Sequence, residues 1–144
     1  MRDNQEPHVF RRQELIRFQH CDPAGIVFYP RYVEMINATV EDWFDRIGIS
    51  FADIHGKLDA AIPAVSLEVD FRAPSRLGET LDFTLVVARM GRTSVNLVVE
   101  ATHGSEVRFT SRLTLVHIGK GDYRPQPWPD LFRNAMLDSA GEPA

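Results

Sequence analysis

The chain has a single cysteine, Cys21, among 144 residues, and that scarcity excludes several kinds of protein. One thiol makes no intrachain disulfide and no zinc site built on several thiolates, and it fits a reducing compartment. Apolar runs are short, well under the ~18 residues that a membrane span needs. The opening Met1-Arg2-Asp3-Asn4-Gln5-Glu6-Pro7 is polar and lacks the apolar segment of a signal peptide. Positive charge is not in excess: 16 Lys and Arg against 20 Asp and Glu give a formal net charge of -4. A nucleic-acid binder needs a basic face for the phosphates, so that class is disfavoured. The expectation is a soluble, cytoplasmic protein that binds neither membrane nor nucleic acid.

Several catalytic signatures are missing as well. There is no Gly-rich phosphate loop, nucleophile elbow or dinucleotide fingerprint. The histidines, His8, His20, His55, His103 and His117, show no metal-ligand spacing, so no metal is expected.

What remains is an ordinary globular composition, 44% hydrophobic and 25% charged, too apolar for disorder. The length suits one domain over 1–144 with a core at about 10–120, burying roughly 70% of the surface exposed by the unfolded chain. Residues 1–9 read as a polar lead-in and 11–19 as a first strand, with Ile16 and Phe18 alternating against Arg17 and Gln19. The spacing of Val33, Ile36, Val40, Trp43, Phe44 and Ile47 predicts one long helix over 30–47. Pro30 suits its first turn and Gly48 the residue beyond its end. Ser50 followed by Asp53 echoes a capping box in the connection that comes next.

The period then switches to two. Val65, Leu67, Val69 and Phe71 predict a half-buried strand. Three more follow at Leu81–Val87, Val95–Ala101 and Val107–Leu115, joined by short turns at Gly91 and Gly104 into an antiparallel meander. Pro125, Pro127 and Pro129 break up the rest, read as a tail with at most a short helical turn. One striped helix and a five-stranded sheet must bury their apolar faces together, giving an α+β domain with the sheet curled around the helix.

Asp22 is the first candidate for chemistry. It sits in the turn Cys21-Asp22-Pro23-Ala24-Gly25, shortly before the helix start. Free backbone N–H groups at a helix N-terminus polarise a carbonyl or hold an oxyanion, and a carboxylate beside them supplies a nucleophile or base. The alternative is a turn aspartate that bonds its own backbone. Cys21 is a weak nucleophile candidate, because His20 as its strand neighbour points to the opposite face. Glu34, Glu41 and Asp45 read as a solvated helix side. Arg72 and Arg76 flank Pro74, and Arg89 and Arg92 bracket Gly91; such pairs suit phosphate, or are plain surface charge.

The run Phe18-Gln19-His20-Cys21-Asp22-Pro23-Ala24-Gly25-Ile26-Val27-Phe28-Tyr29-Pro30-Arg31-Tyr32 closely resembles the signature of hotdog-fold acyl-CoA thioesterases. It is most similar to the branch typified by 4-hydroxybenzoyl-CoA thioesterase. The helix and the four following strands agree, so the resemblance spans about 10–120. It implies a hotdog fold and hydrolysis of an acyl-CoA, most simply an aromatic one, with CoA as part of the substrate and no separate cofactor. Asp22 matches the catalytic aspartate, nucleophile or general base. Tyr29 matches the residue whose backbone N–H binds the thioester carbonyl oxygen, and Gly25 falls in the loop that shapes the site. Arg89 and Arg92, then Arg72 and Arg76, are the positions implied to grip the CoA phosphates. A homodimer or homotetramer with sites at the subunit interface is implied too. Alternatives are a thioesterase for short aliphatic acyl-CoA or acyl carrier protein esters, and a non-catalytic acyl-CoA-binding domain.

Overall fold

The structure, a computed structural model, describes residues 8–56 and 59–140; the lead-in at 1–7 lies outside them. Its central element is the helix α1 (Tyr29–Arg46), followed by the short α2 (Phe51–Gly56). The strands are β1 (Phe10–Leu15), β2 (Ala60–Ala61), β3 (Ala64–Phe71), β4 (Thr80–Met90), β5 (Ser94–His103), β6 (Glu106–Val116) and β7 (Ile118–Gly119). A last helix, α3 (Asp130–Ala140), closes the described chain. Five strands form one sheet in the order β1-β4-β5-β6-β3, every neighbour antiparallel, while β2 and β7 pair separately.

The expected stripe makes α1 a core helix. Ile36, Val40, Trp43 and Phe44 are buried, joined by Tyr32, Met35 and Thr39, and Gly48 leaves the helix with φ +83°. Ser50 Oγ accepts from the Asp53 N–H at 3.1 Å and starts α2, as the capping echo predicts. The sheet supplies Leu81, Phe83, Leu85 and Val87 from β4, then Val95, Leu97, Val99 and Ala101 from β5, all buried at alternate positions. Phe109 joins the layers, with ring centroids 5.1 Å from Tyr32 and 5.8 Å from Phe83. Each such side chain removed from water contributes about 1.5–3 kcal/mol. The sheet wrapped around α1 is the hotdog arrangement that the resemblance implies.

Three expectations need correction. The first strand ends at Leu15: Ile16 is buried, but Phe18 is 81% exposed in a tight 3₁₀ turn. That turn forms because the Arg17 N–H donates to His20 Nδ1 and the His20 N–H returns to the Arg17 carbonyl. The strand β3 exists, yet Val65, Leu67 and Phe71 are exposed, because β3 is an edge strand paired on one side only, with β6. The tail beyond 120 is not a tail. Phe132, Met136 and Ala140 of α3 are buried at four-residue spacing, so the core runs on to the C-terminal helix.

Candidate active site

A small hairpin carries Asp22 to the head of α1. The Phe28 N–H donates to the His20 carbonyl, Cys21 pairs with Val27, and the Asp22 N–H donates to the Ile26 carbonyl. Pro23, Ala24 and Gly25 close it. Pro23 presets the second turn position, the Gly25 N–H returns to the Asp22 carbonyl at 2.9 Å, and Gly25 takes φ +80°. A side chain at Gly25 meets open space, so its requirement is conformational rather than steric.

Asp22 Oδ1 accepts from the Ala24 N–H at 2.9 Å, and Oδ2 has no hydrogen bond among the described residues. One oxygen thus fixes the turn, as the turn reading expects, and the other is free. The hairpin base lies two residues back, roughly 7 Å at about 3.3 Å per residue. There α1 begins. Pro30 brings no N–H, and the Arg31 N–H turns back to the Phe28 carbonyl at 2.8 Å. The Tyr29 N–H has no carbonyl partner among the described residues and points out of the positive end of the helix.

The loop after β3 backs this hairpin. The Ser75 carbonyl accepts from the Val27 N–H, Ile26 bridges to Arg76, and the Leu77 N–H reaches the Gly25 carbonyl at 3.3 Å. Ser75 is fully buried, and its Oγ accepts from the Tyr32 hydroxyl at 2.9 Å. Arg108 clamps the loop from behind. It is the extra residue of a β-bulge in β6, between Val107, opposite Thr102, and Phe109, opposite Ala101. Its Nη1 donates to the Pro74 carbonyl at 3.1 Å and to Glu79 Oε1 at 2.7 Å, while Nη2 reaches Glu79 Oε2. Arg108 Nε lies 2.7 Å from Glu106 Oε1 but is not aligned for a hydrogen bond. The Arg108 hydrogen bond holds the Glu79 carboxyl far below its ordinary range, at about 2, with the Arg76 N–H assisting. The same bond raises the Arg108 guanidinium.

Beside the helix start is an open cavity of about 320 Å³ lined by Tyr29, Tyr32, Phe71, Arg72 and Pro74, with Ile26 and Val27. The Phe71 ring lies 5.7 Å from Tyr32 and 6.2 Å from Tyr29, centroid to centroid. Asp22, Gly25, Tyr29, Arg72 and Arg76 thus gather at one end of the sheet. Arg89 and Arg92 do not. They sit at the β4–β5 hairpin, roughly 20 Å along β4 from Phe83, the residue level with Phe71. Cys21 is half-buried, with a weak Sγ contact to the Arg17 carbonyl at 3.5 Å.

Sequence reasoning passed over Ser75, Tyr32, Phe71 and the Arg108–Glu79 pair. A loop serine carries no pattern, and Arg108 is visible only as a charge inside an apolar alternation.

A carboxylate with a free oxygen, a free amide at a helix head and an adjoining aromatic cavity are groups that cleavage of a thioester can use. The thioesterase-like superfamily model matches residues 16–136. The chain belongs to that superfamily. It is 23% identical over 132 residues to a 1,4-dihydroxy-2-naphthoyl-CoA hydrolase of Synechocystis, covering 90% of this chain and 96% of the relative. A protein of the same name from Nostoc punctiforme is 26% identical over 121 residues, 84% and 82% of the two chains. Among solved structures, a 1,4-dihydroxy-2-naphthoyl-CoA thioesterase from Synechocystis superposes with TM-score 0.85 at 21% identity, covering 90% and 96%. A Staphylococcus aureus protein in complex with CoA gives 0.86 at 13% identity, covering 92% and 84%. The expectations of a hotdog fold and of a CoA-thioester hydrolase both stand. Among the described residues no helix is long and apolar enough to cross a membrane.

Proposed function

We propose that this thioesterase hydrolyses an aromatic acyl-CoA to the free acid and CoA. The observation that carries the reading is the cavity lined by Tyr29, Tyr32 and Phe71 immediately beside the free Tyr29 N–H. Three aromatic rings suit a planar acyl group through edge and offset contacts. The thioester carbonyl oxygen accepts from the Tyr29 N–H, and charge that develops there meets the positive end of α1. One such donor is worth about 3 kcal/mol in the transition state. The Asp22 carboxylate attacks the carbonyl carbon directly, giving a mixed anhydride that water then opens, or removes a proton from an attacking water. In both routes the C–S bond breaks and CoA leaves as the thiolate. No cofactor enters the chemistry, and CoA is part of the substrate. A lone Cys21 suits a cytoplasmic setting.

The reading includes a homodimer. The β3 edge is unpaired and exposes Val65, Leu67 and Phe71, which invites a second copy. Antiparallel pairing of β3 with its two-fold mate turns the partner end for end. The partner's β4–β5 hairpin then lies toward this chain's Phe71 end, where its arginines meet the CoA phosphates together with Arg72 and Arg76.

A second reading, a short aliphatic ester, is favoured by an apolar cavity of about 150 Å³ one turn along α1, between Val33, Ile36 and Val40 and strands β3 and β6. Thiol release from 4-hydroxybenzoyl-, benzoyl-, 1,4-dihydroxy-2-naphthoyl-, butyryl- and palmitoyl-CoA separates the two. Preference for the aromatic esters is the expected result, whereas preference for butyryl-CoA overturns the aromatic assignment. No turnover of any ester shifts the reading to a carrier-protein substrate or to binding alone.

A further inference from the structure

The hairpin that carries Arg89 and Arg92 is held from outside the sheet. Its four successive carbonyls are all occupied, three of them by the C-terminal segment: Gly91 O accepts from Arg133 Nη1 at 3.0 Å, Arg92 O from the Trp128 N–H at 3.0 Å. Thr93 O accepts from the His117 N–H at 2.8 Å, and Ser94 O from Trp128 Nε1 at 2.9 Å. Trp128 is buried and stacked on the His117 ring, with centroids 5.2 Å apart. Arg133 rides on α3, which is anchored by buried Phe132 and Met136 and by the Trp43 indole donating to Ser139 at 2.8 Å. Within the turn the Gly91 N–H donates to the Ser94 carbonyl at 2.9 Å, and a Cβ at Gly91 would stand 2.7 Å from Ser94 Oγ.

The side chains behave oppositely. Arg89 and Arg92 are exposed, and among the described residues neither side chain makes an ion pair or hydrogen bond. The register skips Ala88, a bulge that sets the direction in which Arg89 leaves the strand. A fixed backbone bearing two unpaired guanidinium groups is preorganised for an anion, because little ordering is left to be done on binding.

We propose that Trp128 and Arg133 are positioning residues for the nucleotide end of the substrate, holding the Arg89–Arg92 hairpin so that it grips the CoA phosphates. This rests on the reading that those arginines bind CoA, and it gives the C-terminal helix a place in substrate recognition. Its consequence is selective. Loosening the hairpin weakens the hold on phosphates and leaves the Asp22 chemistry in place, since none of the hairpin's hydrogen bonds reaches the Asp22 turn.

The test compares 4-hydroxybenzoyl-CoA with 4-hydroxybenzoyl-pantetheine, which has the same thioester but no nucleotide. The variants are Arg133→Ala, Trp128→Phe, which keeps the ring and removes the indole N–H, and Arg92→Ala. Arg133→Ala and Trp128→Phe are expected to raise KM for the CoA ester about fivefold, as loss of one ordinary hydrogen bond gives, with a smaller change in kcat. KM for the pantetheine ester should stay within twofold. Equal losses on both esters indicate general destabilisation and overturn the proposal. So does an unchanged KM in these two variants while Arg92→Ala raises it, which leaves the CoA reading standing. If Arg92→Ala itself does not raise KM for the CoA ester, the hairpin is not the phosphate grip and both fall together.

Discussion

The Tyr32 hydroxyl donates to Ser75 Oγ across 2.9 Å in the core, and this bond ties the first turn of α1 to the loop behind the Asp22 hairpin. Ser75 also gives its carbonyl to the Val27 N–H, so one buried residue holds the helix head and the Asp22 hairpin in register.

Tyr32→Phe keeps the ring stack and leaves the Ser75 hydroxyl buried without its donor. The expected cost is about 1–3 kcal/mol, read as a lower Tm, together with a drop in kcat as the helix head loosens. Unchanged Tm and kcat would show that the bond positions nothing.

The Glu79–Arg108 pair makes a pH prediction of definite sign. The Glu79 pKa is depressed from 4.5 to about 2 in the folded protein, so its contribution is complete above about 4.5 and lost as pH falls toward about 2. Glu79→Gln removes that contribution, lowering stability at neutral pH by about 2 kcal/mol, a usual value for a hydrogen bond to a charged group. Denaturant unfolding at a series of pH values should show wild type and variant converging between about 4.5 and 2. A constant gap over that interval would contradict the assignment.

Phe71→Ala strips one wall from the aromatic cavity. It is expected to raise KM for 4-hydroxybenzoyl-CoA by about tenfold while butyryl-CoA changes less than threefold, since one aromatic contact is worth about 0.5–1.5 kcal/mol beyond its buried area. Equal effects on the two esters would remove Phe71 from acyl recognition.

The parts of this molecule that were legible in its sequence are those with a period or a run of special residues. Ile36, Val40, Trp43 and Phe44 announce α1, and the alternation in β4 and β5 announces the meander. The Asp22-Pro23-Ala24-Gly25 turn declares itself because each residue answers a local conformational demand. What was not legible depends on partners distant in sequence. Phe71 reads as half-buried by alternation, yet β3 is an edge strand paired on one side only, and Phe71 stays 50% exposed. Phe132 and Met136 carry a helical spacing that three nearby prolines obscured. That Arg89 and Arg92 grip the CoA phosphates is implied by resemblance alone, and within one chain they lie at the far end of the sheet from Asp22.

Asp22→Asn tests the central claim most directly. Asparagine keeps a carbonyl oxygen to accept from the Ala24 N–H, so the turn survives while the charge is removed. With 4-hydroxybenzoyl-CoA the account predicts a fall in kcat of about 1,000-fold or more, with the affinity for the ester, measured by equilibrium binding, kept within a few fold. Hydrolysis at close to the wild-type rate would place the chemistry elsewhere.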